Sequence, residues 1–256
     1  MALEFRGVSK AFAGRDSGEL LAVDDVSFRV NEGEFVSVVG PSGCGKSTIL
    51  SMTAGLYQPT KGEVLVSEEP VTGPNSHVGF MLQKDLLLPW RSIVHNVEFG
   101  LEARGVGKAD RRARAMHELE HCHLGGFENH YPYQLSGGMR QRAALARTLA
   151  IDPEIILLDE PFSALDAQTK LVLQNSFAQT IKEAGKTTLL ITHDLGEAVL
   201  MSDRILVLSE RPGRIIAEIP VELPHRDHPI KRRQMPEVAD YASQLFKHLK
   251  LEEKAA

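Results

Sequence analysis

Gly40-Pro41-Ser42-Gly43-Cys44-Gly45-Lys46-Ser47-Thr48 lies between a short apolar run, Glu34 to Val39, and a helix-forming stretch, Ile49 to Ala54. The run reads as a buried strand. A glycine, four residues, then Gly-Lys-Ser between strand and helix is the pattern of a phosphate-binding loop. The glycines let the backbone curl so that successive N–H groups face phosphate oxygens. The helix N-terminus adds partial positive charge at the same point. Lys46 is placed to reach β- and γ-phosphates, and Ser47 to put its hydroxyl on Mg²⁺. Cys44 sits beside Lys46 and the helix N-terminus, both of which favour thiolate. Maleimide is therefore expected to label it and bound nucleotide to shield it.

Outward from this loop, Ile155–Leu158 and Thr187–Thr192 are further apolar runs of the buried, parallel-sheet type. Helical patterns alternate with them, notably Ala167 to Ala184. The alternation predicts an α/β layered core. Leu20–Val30 and Gly62–Val71 read as short β-rich segments with turn signals beside them. Between Lys84 and Ala150 strand runs vanish and charged helical stretches such as Lys108 to His121 take over, as expected of an inserted helical subdomain at about 84–150. From about Arg226 the chain turns polar, and 226–256 reads as a C-terminal tail with a possible helix, Glu237 to Leu251.

The 256 residues suffice for one large domain or a domain with a subdomain. A formal charge of −5 does not mark a nucleic-acid binder. Two cysteines, Cys44 and Cys122, make no disulfide framework and read as reduced thiols of a cytosolic chain. No signal-peptide pattern opens the chain and no apolar run approaches membrane-spanning length, so a soluble protein with at most a peripheral membrane role is expected. The basic clusters Arg111-Arg112-Arg114, Arg140/Arg142/Arg147 and Lys231-Arg232-Arg233 read as solvated helix faces and ion-pair partners.

A second element is Ile155-Ile156-Leu157-Leu158-Asp159-Glu160-Pro161. A buried strand ending in carboxylates delivers them to the sheet edge where α/β folds bind ligands. Asp159 suits Mg²⁺ held through water, and Glu160 suits orienting or deprotonating the attacking water. A third is Leu135-Ser136-Gly137-Gly138-Met139-Arg140-Gln141-Arg142, running into the helix-forming Ala143 to Ala150. Ser136 can cap that helix, and the glycines let its N–H groups approach a second anion.

Here the sequence resembles the ATP-binding cassette (ABC) ATPases, over about residues 3 to 223. Leu135 to Gly138 matches their signature, Gln83 their Q-loop glutamine, Ser163-Ala164-Leu165-Asp166 their D-loop, His193 their switch histidine, and Phe12 the aromatic that stacks on adenine. Taken alone, Phe12 would more often be core than an adenine platform. The resemblance implies a P-loop NTPase (RecA-like) α/β core with an antiparallel β subdomain and the inserted α-helical subdomain, the nucleotide-binding domain covering 3–225. It implies ATP and Mg²⁺ as cofactors. Lys46, Gln83, Glu160 and His193 would be catalytic. Phe12, Gly40 to Thr48, Ser136, Gly137, Gly138 and Asp166 would contact nucleotide, and Ser47, Gln83 and Asp159 the metal. In the family two cassettes close head to tail around two ATP; one cassette per chain implies a homodimer. Met139 stands where the family most often has glutamine, and a thioether donates no hydrogen bond.

The finer match is to the ATPases of bacterial nitrate, sulfonate and taurine importers, through Leu87-Leu88-Pro89-Trp90-Arg91, Met139 and Arg211-Pro212-Gly213-Arg214-Ile215. It implies the energy subunit of an importer at the cytoplasmic face of the membrane, partnered with permease subunits and, indirectly, with an extracytoplasmic solute-binding protein. Trp90 either packs in the helical subdomain or meets the permease. The alternative is a non-transport ABC ATPase of DNA repair or translation. Such proteins usually carry two cassettes, a coiled-coil insertion or zinc-type cysteine clusters, none of which is found in this sequence.

Overall fold

The computed structural model describes residues 1–13 and 18–249. The chain opens with β1 (Leu3–Ala13), β2 (Glu19–Val30) and β3 (Phe35–Val39), then α1 (Lys46–Thr53), β4 (Lys61–Val66), β5 (Glu69–Pro70) and β6 (Val78–Met81). Helices follow: α2 (Ile93–Val97), α3 (Phe99–Ala103), α4 (Lys108–His121) and α5 (Gly137–Ala150). Then come β7 (Ile155–Asp159), α6 (Ala167–Glu183), β8 (Thr187–Ile191), α7 (Leu195–Met201), β9 (Arg204–Leu208) and β10 (Ile215–Pro220). The tail forms α8 (Pro229–Arg232) and α9 (Glu237–His248).

Two sheets organise these elements. A six-stranded sheet runs β10-β9-β3-β8-β7-β6, parallel throughout except for β10. A four-stranded antiparallel sheet runs β2-β1-β4-β5. Every residue of β3 and β8 is buried, which is why these strands read as unbroken apolar runs. Helix α1 shares a core with both sheets: Ile49, Leu50 and Met52 pack with Val64 and Val66 of β4 and with Leu157 and Ile191 of the parallel sheet. A second core joins the other sheet face to the helical subdomain through Leu145 and Leu149 of α5 and Phe177 of α6. Because β3, β7 and β8 are parallel neighbours, their carboxyl ends deliver the phosphate-binding loop, Asp159-Glu160 and His193 to one edge.

The β-rich segment Gly62–Val71 forms a hairpin of β4 and β5. Ser67 and Glu68 turn it with φ of 49° and 67°. Neither is the glycine that such a turn usually advertises, so the break is invisible in the sequence. The C-terminal end of the expected helix, at Leu251, lies outside the described residues. The tail packs on the cassette. Arg232 is 1% exposed, against the solvated face expected of its basic cluster. Its guanidinium donates to the carbonyls of Val199 (3.0 Å), Leu200 (3.3 Å), Ser202 (2.8 Å), Pro224 (3.1 Å) and Leu223, and so caps the C-terminus of α7. Burial pushes its pKa down to about 10, which leaves it charged at neutral pH. Among the described residues no helix is long and apolar enough to cross a membrane.

Candidate active site

Gly45, with φ 104°, turns the chain into α1, and a Cβ there would lie 2.5 Å from Val23 Cγ1. Only glycine satisfies both the backbone and the space. The loop rims a cleft of about 390 Å³ lined by Phe12, Leu20, Ala22, Ser42, Gly43, Gly45, Lys46, Ser47, Thr48, Glu160 and Arg211. Lys46 Nζ donates to the carbonyls of Gly40 (2.8 Å) and Pro41 (2.9 Å), which fixes the ammonium under the loop. Phe12 lines the cleft half-buried, edge-on to Tyr57 at 5.3 Å, rather than in the core.

Ser47 Oγ donates to Asp159 Oδ1 at 3.4 Å. Burial raises the Asp159 pKa above the usual carboxylate value, and the Glu160 carboxylate adds to the shift. Glu160 follows the strand with φ 46°, in the left-handed region that a non-glycine residue seldom adopts. Glu160 lines the cleft, and its Oε2 meets His193 Nδ1 at 3.0 Å, although His193 itself does not line the cleft. Asp194 accepts from the Glu197 N–H at 3.0 Å and caps α7, which fixes the strand-to-helix turn carrying His193. Gln83 donates to Ser163 Oγ (3.2 Å), and that hydroxyl donates to the Glu160 carbonyl (2.9 Å). Gln83 is thereby linked to the acidic strand end, although it does not line the cleft.

Ser136 caps α5 as expected, its Oγ accepting from the Met139 N–H at 3.3 Å. Gly138 allows α5 to approach α6, since a Cβ would stand 3.1 Å from Thr169 Cγ2. Ser136, Gly138 and Met139 line a separate hollow with Arg142 and Thr169, and no residue is common to the two pockets. Asp166 lines neither; its carboxylate caps α6 by accepting from the Thr169 N–H at 3.0 Å, and that hydrogen bond lowers its pKa.

Two readings are corrected. Cys44 is fully buried, with its side chain in the core between the sheets. Burial raises the thiol's pKa and outweighs the Lys46 ammonium, so the expected reactive thiolate is overturned. Arg147 is no solvated residue either. It donates to the carbonyls of Asp85 (2.6 Å) and Leu86 (2.7 Å), and burial lowers its pKa. The sequence reading also missed two residues that support the loop. Arg211 donates through Nε (3.0 Å) and Nη2 (2.8 Å) to the Gly43 carbonyl. Gly213 lets its turn touch the loop, where a Cβ would stand 2.1 Å from the Cys44 carbonyl.

A P-loop core with strand-end carboxylates, a facing histidine and a second capped helix N-terminus defines an ATP-binding cassette. The sequence model of the family described as ABC transporter matches residues 23–163. The chain is 50% identical over 205 residues to an uncharacterized ABC transporter ATP-binding protein, MJ0412, of Methanocaldococcus jannaschii, covering 79% of this chain and 77% of the relative. It is 45% identical over 205 residues to the taurine import ATP-binding protein TauB of Yersinia pestis bv. Antiqua, covering 80% of each. The solved dimer of the ATP-binding cassette MJ0796 with ADP and Pi is 34% identical, with a TM-score of 0.74, and the match covers 86% of this chain and 99% of that one. This chain belongs to the ABC transporter family, as an ATP-binding and ATP-hydrolysing cassette.

Proposed function

We propose that this cassette is the energy subunit of an importer for taurine, another sulfonate, nitrate or a related small solute. In this reading it works as a head-to-tail homodimer against permease subunits at the cytoplasmic face of the membrane, and an extracytoplasmic protein delivers the solute. The observation that carries the proposal is a segment fastened to the signature helix that buries Leu87 in the core while presenting Leu86 and Trp90 to solvent. Leu86 is 52% and Trp90 71% exposed. Arg140 pairs with Asp85 at 3.1 Å, and Arg147 holds the two adjoining carbonyls. Both arginines belong to α5, the helix capped by Ser136. An exposed apolar patch marks an interaction site, and this one is tied to a helix whose N-terminus suits a phosphate. The likeness to TauB supports the solute class.

The residues fit Mg²⁺. Ser47 and Asp159 offer neighbouring oxygens, the partial set that this ion completes with phosphate oxygens and water. Bound there, Mg²⁺ would neutralise charge developing on the transferring phosphoryl group. Lys46 would hold the phosphate chain. Glu160 would take the proton of the attacking water, with His193 orienting its carboxylate. The loop cleft and the Ser136 hollow share no residue; in a head-to-tail pair each would face its counterpart on the other protomer.

The test is reconstitution with an importer's permease in lipid. The cassette should co-elute with the permease, and ATP turnover should rise when binding protein loaded with taurine, an alkylsulfonate or nitrate is added. Failure to assemble with the permease, or turnover stimulated by DNA or ribosomes instead, would refute the importer reading.

A further inference from the structure

We propose that Arg211 is a nucleotide-binding residue that supplies a second cation to the phosphate chain. The proposal rests on the cleft being the nucleotide site. Arg211 lies in the turn between β9 and β10, far in sequence from the loop it reaches. It lines the same cleft as Phe12, Lys46 and Glu160. Its Nε and Nη2 both donate to the single Gly43 carbonyl. The remaining donor nitrogen, Nη1, has no partner among the described residues, and the side chain is exposed.

The turn that carries Arg211 is braced on every side. Gly213 N–H donates to the Ala22 carbonyl and Asp24 N–H to the Gly213 carbonyl, each at 3.0 Å. The single proton of Ser209 Oγ is shared between the carbonyls of Glu210 (2.8 Å) and Pro212 (3.0 Å), and the oxygen accepts from the Arg214 N–H (3.0 Å). Arg214 pairs with Asp24. A guanidinium held this way loses little further freedom when an anion arrives, the condition for an effective planar donor.

Electrostatics favour the same role. A nucleoside di- or triphosphate is a polyanion. Among the described residues lining the cleft, the only other cation is Lys46, and two of its three donors already serve the Gly40 and Pro41 carbonyls. Glu160 in the cleft and Asp159 beside it oppose an anion. A guanidinium on the loop's rim offsets that repulsion and offers a directed N–H to a phosphate oxygen.

The experiment is calorimetric titration of the full chain with ATP, ADP and adenosine in magnesium-free buffer, for wild type, Arg211→Gln and Arg211→Lys. The glutamine amide keeps a donor for the Gly43 carbonyl and removes only the charge. Arg211→Gln should weaken ATP and ADP binding roughly tenfold, the size of one exposed charge-assisted hydrogen bond, and adenosine binding less than about twofold. Arg211→Lys, which keeps the charge but loses the planar fork on the Gly43 carbonyl, should fall between wild type and the glutamine variant for ATP and ADP. The salt dependence of ADP binding should flatten in the glutamine variant. Wild-type ADP affinity in Arg211→Gln would overturn the proposal. Equal losses for ADP and adenosine would also overturn it, by reducing Arg211 to a strut for the loop. A wild-type chain that binds no ATP would instead sink the reading of the cleft itself.

Discussion

Gly213→Ala should disable the enzyme from a position that makes no contact with substrate. Gly213 has no left-handed φ, so alanine suits its backbone and the effect is purely steric. The new Cβ would stand 2.1 Å from the Cys44 carbonyl oxygen, where ordinary contact begins near 3.4 Å. More than about 1 Å must be found between the turn and the phosphate-binding loop. If the turn retreats, it loses the hydrogen bonds at Ala22 and Asp24, worth about 1 kcal/mol each. If the loop retreats, its N–H groups leave the phosphates by a similar distance, and misplacement of about 1 Å costs about 10²-fold in rate. The turn is the better anchored of the two, being tied also through Ser209 and Arg214. The loop should therefore yield. We expect kcat/KM for ATP to fall about 10²-fold while Tm drops by less than about 4 °C. Gly125→Ala, whose Cβ would meet nothing within 4 Å, is the control. Turnover within twofold of wild type in Gly213→Ala would refute the steric argument.

Glu160→Gln should keep ATP binding, lower hydrolysis more than about 10²-fold, and accumulate an ATP-bridged dimer visible by light scattering; normal turnover would remove Glu160 as the base. Asp159→Asn should abolish turnover yet raise Tm at neutral pH, because the half-buried charge is gone. Because the carboxyl's pKa is raised in the folded chain, the penalty is complete above that raised value, shrinks below it and is gone only below the ordinary aspartate range. The gain from asparagine should therefore shrink as pH falls below the raised pKa and be gone below the ordinary aspartate range, and a pH-independent gain would contradict the cause. Arg232→Ala leaves five carbonyls without their donor and should cost about 3 kcal/mol, or about 6–12 °C in Tm at this chain length. A loss under about 2 °C by scanning calorimetry would show that water replaces the guanidinium without cost.

The parallel core was legible because its strands are apolar on both faces, and their ends carry the chemistry in consecutive residues: Lys46-Ser47, Asp159-Glu160, Thr192-His193. The helix capped by Ser136 was legible because a cap is written within four residues. What stayed hidden depends on contacts distant in sequence or on which side of a loop an atom faces. Arg211 and Gly213 looked like markers of a subfamily, since nothing near them in sequence points to residues 43 and 44. Cys44 was misjudged from its chain neighbours, whereas its environment is set by Val36 and Leu208 of the shared core. Arg232 sits in a basic run indistinguishable from a solvated one until the end of α7 is seen against it. Asp166 reads as a nucleotide contact by family pattern, while locally it does the ordinary work of an N-cap.

The covered thiol of Cys44 also makes the phosphate-binding loop its own stopwatch. A sulfur with no exposed surface can be alkylated only in the moments when the loop lifts off the core. The ratio of its labelling rate to that of a free thiol is then the fraction of time the loop spends open. Cys122 is buried in the helical subdomain and held protonated by its surroundings, so it keeps separate time for that half of the molecule. Peptide mass spectrometry after brief alkylation would read the two clocks from one unmodified sample, with and without ATP.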